Sequence, residues 1–180
     1  MTATVKAEKV ATFPAEKTSF FRRRLLAVVG ILSLVVGLGS FFGGVAGAVY
    51  TWNQAEAQNV VTPDDAAIPE TPVRGPFTMW AQADIITYHQ LESTEGLYYA
   101  EMPRQVPEVD EAGNPVIGED GEPVMVPNAA RASWINATAL TTALNVGILA
   151  YALAAFAMVV GITLVVSGLT FLSLRKALIA

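Results

Sequence analysis

Two long stretches without a charged side chain, residues 25–50 and roughly 133–174, constrain this chain more than anything else in it. A bilayer's hydrocarbon core is about 30 Å thick and takes about 20 apolar helical residues to cross, and both stretches are longer than that. Hydrophobic residues make up 53% of the 180 positions and charged residues only 15%, too little polarity for an ordinary soluble domain. The expected fold class is therefore a mostly α membrane protein in which two transmembrane helices flank a small α+β extracytoplasmic domain.

The formal net charge of −5 conceals a segregation along the chain. Lys6, Lys9, Lys17, Arg22, Arg23 and Arg24 precede the first apolar stretch against Glu8 and Glu16, and Arg175 with Lys176 follows the second. The remaining 14 of the 16 acids lie between Glu56 and Glu122, accompanied there only by Arg74 and Arg104. Lys and Arg close to span ends are retained on the cytoplasmic side, so both termini are expected in the cytoplasm and the acidic middle outside it. The expected order is a basic cytoplasmic tail (1–24), a first span (25–50), an acidic extracytoplasmic domain (51–128), an extramembrane helix start (129–145), a second span (146–174) and a cytoplasmic tail (175–180) in the plasma membrane. Arg22, Arg23 and Arg24 read as a topology signal, with an anionic-lipid contact as the alternative. Nucleic-acid binding needs a basic surface that displaces condensed counterions, which is not expected of this charge pattern.

The first stretch has the parts of a secretory signal, with arginines before it and Ala46-Gly47-Ala48 as a small-residue triplet near its end. Signal h-regions hold about 7–15 residues, so the stretch reads as an uncleaved anchor. Within it Gly39, Gly43 and Gly47 recur every fourth residue, with Ser40 and Gly44 on the adjacent row. Helices in lipid associate where small residues let backbones approach, so these five residues are the expected helix-packing interface with a partner helix. Neither span carries an ionisable carboxylate, ammonium, guanidinium or imidazole. Proton relays and ion pathways depend on such groups, so an autonomous pump or transporter is not expected. Asn136-Ala137-Thr138 matches a glycosylation acceptor only by chance.

In the middle, residues 51–73 show no sustained period and read as an extended linker. The helical punctuation then becomes clear: Pro76 at a start, Gly96 after an end, and an amphipathic helix over 76–93. At 100° per residue, Phe77, Trp80, Ala81, Ile85, Tyr88 and Leu91 share a stripe about 140° wide. Asp84 lies inside the stripe. An unpaired buried carboxylate is costly, so Asp84 is expected either to pair with Arg74 or Arg131 or to sit where the stripe meets water. His89, the one histidine, reads as a solvated flank residue. Over 106–127, Asp110-Glu111-Ala112-Gly113-Asn114-Pro115-Val116 is echoed by Glu119-Asp120-Gly121-Glu122-Pro123-Val124, a doubled turn in a small β-hairpin. Its carboxylates lack the spacing of a calcium loop. With no cysteine there is no disulfide, thiolate ligand or thiol nucleophile, and no cofactor or metal site is expected.

The combination of Gly75-Pro76-Phe77-Thr78, Ala81-Gln82-Ala83-Asp84, His89, Tyr98-Tyr99-Ala100-Glu101 and the Asp/Gly/Asn/Pro/Val turn resembles a family of small actinobacterial membrane proteins often labelled aromatic ring-opening dioxygenase. The resemblance covers roughly residues 25–174 and implies the same two-span layout. Extradiol ring cleavage uses iron held by two His and a carboxylate, and one histidine does not supply that set. Members of this kind are also similar to accessory subunits of the actinobacterial respiratory supercomplex, which implies partners such as the cytochrome bc complex and terminal oxidase.

Three functions are weighed. The leading expectation is a non-catalytic accessory or assembly subunit of a larger membrane complex. The second is a membrane-anchored extracytoplasmic module that captures a ligand or a basic soluble partner. The third is an enzyme built on Asp84, His89 and Glu92; on an ideal helix Asp84 and His89 lie about 140° apart, which disfavours a shared site. Asp84, His89 and Trp80 are the candidate structural or interaction residues.

Overall fold

The computed structural model describes residues 15–177; the outer parts of both predicted tails, 1–14 and 178–180, lie outside the described residues. Three helices account for most of it: α1 (Ala15–Glu56), α2 (Pro76–Ser93) and α3 (Ala129–Ala177). Among the described residues one sheet pairs β1 (Gln105–Pro107) with β2 (Met125–Pro127), antiparallel, Gln105 opposite Pro127 and Pro107 opposite Met125. The described residues divide into two compact units, one of residues 47–153 and one that joins those before 47 to those after 153.

Both α1 and α3 are long and apolar enough to cross a membrane, and only 11% of the most apolar window of each is buried. The helix inside a soluble core shows the reverse. Val28, Leu32, Val35, Val36 and Phe42 on α1 are exposed, as are Leu153, Phe156, Val159, Ile162 and Val166 on α3.

The helix-pair unit is held by close backbone approach. Gly30, Gly37 and Gly44 recur every seventh residue on α1, and Ala154, Gly161 and Gly168 do so on α3. They meet antiparallel. A methyl group on Gly37 would lie 2.8 Å from the Gly161 carbonyl oxygen, one on Gly44 2.6 Å from the Ala154 carbonyl oxygen, and one on Gly168 2.7 Å from the Gly30 carbonyl oxygen. The Ser40 hydroxyl donates to the Ala157 carbonyl at 2.8 Å, so the interface carries a hydrogen bond as well as packing.

In the second unit α1 continues through Glu56, where the sequence reads as linker. Thr51–Glu56 contains neither Gly nor Pro, and Thr51 Oγ1 returns to the Gly47 carbonyl at 2.9 Å, so nothing stops the helix. The remainder of that linker is a closed loop. Val73 N–H donates to the Val60 carbonyl at its neck, Thr62 N–H to the Thr71 carbonyl, and Thr71 N–H to the buried Thr62 hydroxyl. A stretch without any period is here ordered by its own hydrogen bonds.

Helix α2 spans the range that its punctuation predicts. Pro76 stands at its start, and the Thr78 hydroxyl accepts the Gly75 and Arg74 N–H groups, satisfying donors that a helix start leaves free. It ends where Gly96, at φ +81°, returns its N–H to the Leu91 carbonyl. The unit's core gathers Val73, Met79, Ala81, Ile85, Trp134 and Ala137. Trp134 Nε1 donates to the Leu97 carbonyl at 3.0 Å while its ring stacks on Tyr98. Gln90 Nε2 donates to Ser133 Oγ at 2.7 Å, and the Tyr151 hydroxyl to the Arg74 carbonyl at 2.6 Å. Together these bonds fasten α2 and its flanks alongside α3.

The doubled turn is an eight-residue repeat in three dimensions. Val109 bridges Pro115 and Ile117 bridges Pro123. Glu108, Val116 and Val124 close a ring of backbone hydrogen bonds, each bonded to the next.

Candidate interaction surfaces

The five small residues singled out on α1 divide into two groups. Gly44 and Ser40 pack against α3 within this chain, whereas a methyl group on Gly39, Gly43 or Gly47 would meet nothing within 4 Å. Two different rows of small residues therefore share one helix. The row that closes the helix pair, Gly30, Gly37 and Gly44 against Ala154, Gly161 and Gly168, escapes a search for every-fourth spacing. A seven-residue period present on both helices is the signal that finds it.

On α2 the buried residues are Met79, Ala81, Ala83 and Ile85. Phe77, Trp80 and Tyr88, expected on the buried stripe, are exposed at 76%, 52% and 58%. The reason is room. Met79 fills the space over Gly147, its sulfur 2.7 Å from where a glycine β-carbon would stand, and the alanines allow α2 to approach closely, so the large rings are left outward.

Asp84 is exposed, between Trp80 and Tyr88 on the same side of α2. Neither suggested base pairs with it. Arg74 meets Glu56 at 3.0 Å; Arg131 donates from Nε to the Tyr99 carbonyl and lays its guanidinium over the Tyr99 ring, 4.0 Å from the centroid. Water exposure, the other expectation for Asp84, is the outcome. His89 Nε2 lies 2.7 Å from Asp65 Oδ2, tying α2 to the closed loop, and so faces neither Asp84 nor Glu92 as a partner. Among the described residues no group of three or more His, Asp or Glu side chains is arranged to hold a metal ion.

A groove of about 510 Å³ opens in the same unit between α1, α3 and Met79. Its lining, which includes Tyr50, Gln54, Gln58, Ala143 and Gly147, contains no charged side chain. In the turn region Asp110 Oδ1 accepts the Ala112 and Asn114 N–H groups at 2.9 and 2.8 Å. The Asn114 backbone bond is the largest influence on this carboxyl and holds its pKa below the ordinary value of 3.8. Bonds that favour the charged form lower a carboxyl pKa, so Asp110 is a structural acid.

No protein-family model matches the chain. No curated protein and no solved structure matches it either.

Proposed function

We propose that the chain is a multi-pass plasma-membrane protein, its termini cytoplasmic and residues 51–128 extracytoplasmic, and that it acts as a non-catalytic accessory or assembly subunit of a larger membrane complex. The observation that carries this reading is the exposure of the apolar surface of α1 and α3, of which only 11% of each most apolar window is buried. Soluble monomers rarely expose apolar patches beyond a few hundred Å², so lipid and partner helices are the surroundings that suit these helices. Gly39 and Gly43, open where Gly37 and Gly44 are occupied, add a face for a helix from another chain. The resemblance noted in the sequence points to the respiratory assembly of cytochrome bc complex and terminal oxidase.

The test is purification in mild detergent by a tag placed after Ala180. Co-migration with a defined set of membrane subunits and haems supports the proposal; recovery of a free chain without cytochromes overturns it. A second reading, the extracytoplasmic module that captures a basic partner, is favoured by the exposed aromatic and acidic face of α2. Electrostatic steering of that kind weakens with ionic strength, and an association rate indifferent to salt removes it.

A further inference from the structure

We infer that the outward face of α2 is a docking surface for a protein that presents an arginine, received by Asp84 between the rings of Trp80 and Tyr88. This rests on the subunit reading above and names the chemistry of the partner.

Trp80, Asp84 and Tyr88 follow one another at four-residue intervals, so their β-carbons stand about 6 Å apart on successive turns. With Phe77 they fall within an arc about 80° wide at 100° per residue. Met79 and Ala83 are buried on the other side of the helix, and Ala81 and Ile85 are buried along one edge of the arc; nothing in this unit covers the arc itself, where all three rings are more than half exposed. Exposed aromatic clusters are characteristic of interface cores.

Three occupants compete for such a face. Lipid is disfavoured because Asp84 sits in the middle of the arc, and a carboxylate is expensive in hydrocarbon. A second copy of this unit would bring like charge to like charge, since 14 of the chain's 16 acids lie between Glu56 and Glu122. A basic protein surface meets no such penalty. Among the described residues no base forms an ion pair with Asp84: Arg74 is held by Glu56, Arg131 by Tyr99, and Arg104 makes no salt bridge to it. The planar guanidinium is the cation that this trio fits best: it pairs with one carboxylate through two N–H groups and stacks on flanking rings, which a lysine ammonium does not.

The experiment has two arms on the full chain. In the first, tagged wild type, Asp84→Lys and Asp84→Glu are extracted in mild detergent and their co-purifying polypeptides compared at low salt. In the second, the detergent-solubilised chain is titrated with a Gly-Arg-Gly-Arg-Gly peptide and its citrulline counterpart, following the Trp80 indole resonance, with Asp84→Asn as the control. The expected results are loss of the associated subunits by about tenfold or more in Asp84→Lys, as for a hot-spot side chain, and retention in Asp84→Glu. The arginine peptide should shift the Trp80 resonance, and citrulline or Asp84→Asn should abolish the shift. Undiminished subunits in Asp84→Lys overturn the inference while leaving the subunit reading intact. If wild type emerges alone yet binds the arginine peptide through Asp84, the subunit reading falls and the docking surface stands. If it emerges alone and does not distinguish arginine from citrulline, both fall.

Discussion

At Gly37 a single hydrogen keeps two helix backbones in contact: the atoms that a methyl group would meet are the Gly161 carbonyl oxygen at 2.8 Å and the Val165 nitrogen at 2.9 Å. Backbone atoms cannot swing aside as a side-chain tip can, so Gly37→Ala has to push the helices apart. Overpacking of a close interface costs about 1–3 kcal/mol. Gly43→Ala meets open space and gains helix propensity, up to about 1 kcal/mol. Thermal unfolding in detergent is expected to show a lowered midpoint for Gly37→Ala and an unchanged or raised one for Gly43→Ala; equal losses at both sites would contradict the seven-residue packing. Asp110 is the residue with a pH prediction. Its folded pKa is depressed, so its stabilising effect is present above the unfolded value near 3.9 and disappears as pH falls through the still lower folded value. A carboxyl carbon titration by NMR should give a midpoint below 3.8, with the Asn114 amide resonance moving in the same pH range. A midpoint at or above 3.8 would remove the two N–H bonds as the cause.

Each element depends differently on what is written in it locally. The eight-residue repeat depends on Gly113 and Gly121, at φ +81° and +79°, a backbone region that costs an L-residue roughly 1–2 kcal/mol. Alanine at either position is expected to weaken protection of the Val116 and Val124 amides, whose bonds close the ring, while helical circular dichroism stays constant. A matching loss of helix would mean that the turns and helices unfold together. The turns were legible in the sequence for the same reason, since Gly, Asn and Pro set backbone angles by themselves. So were the bounds of α2, through Pro76 and Gly96. The orientation of α2 was not. Hydrophobicity places Phe77, Trp80 and Tyr88 inward, and only the fit of Met79 against Gly147, across 68 positions of sequence, turns them outward. The helix pair was half legible for a related reason. Spacing on one helix finds small residues, but which row is occupied depends on its match on the other, as Ser40 reaching Ala157 illustrates. The closed loop at 60–73 was not legible, because its order comes from Thr62 hydrogen bonds rather than from any period.

Across the whole molecule the segregation of charge is the long-range signal, and it makes the proposed topology testable without background because the chain has no cysteine. A cysteine introduced at Ala112, in the exposed turn, is expected to react with a membrane-impermeant maleimide on intact cells, and one at Ala180 only after permeabilisation. The opposite pattern would overturn the orientation. The same logic assigns the work to both ends of the chain. Arg22, Arg23 and Arg24 precede α1's apolar stretch and Arg175 with Lys176 follows that of α3, so in the proposed topology each apolar helix has its own cytoplasmic anchor, and retention counts positive residues close to span ends. Replacing only Arg22, Arg23 and Arg24 by Gln should leave Ala112→Cys labelled from outside, because inverting the chain would still require Arg175 and Lys176 to cross. Replacing all five removes the bias at both ends, and a mixed population with partial labelling at Ala112→Cys is expected. If the three-residue change alone inverts the protein, α1 dictates orientation by itself and the anchor on α3 is dispensable.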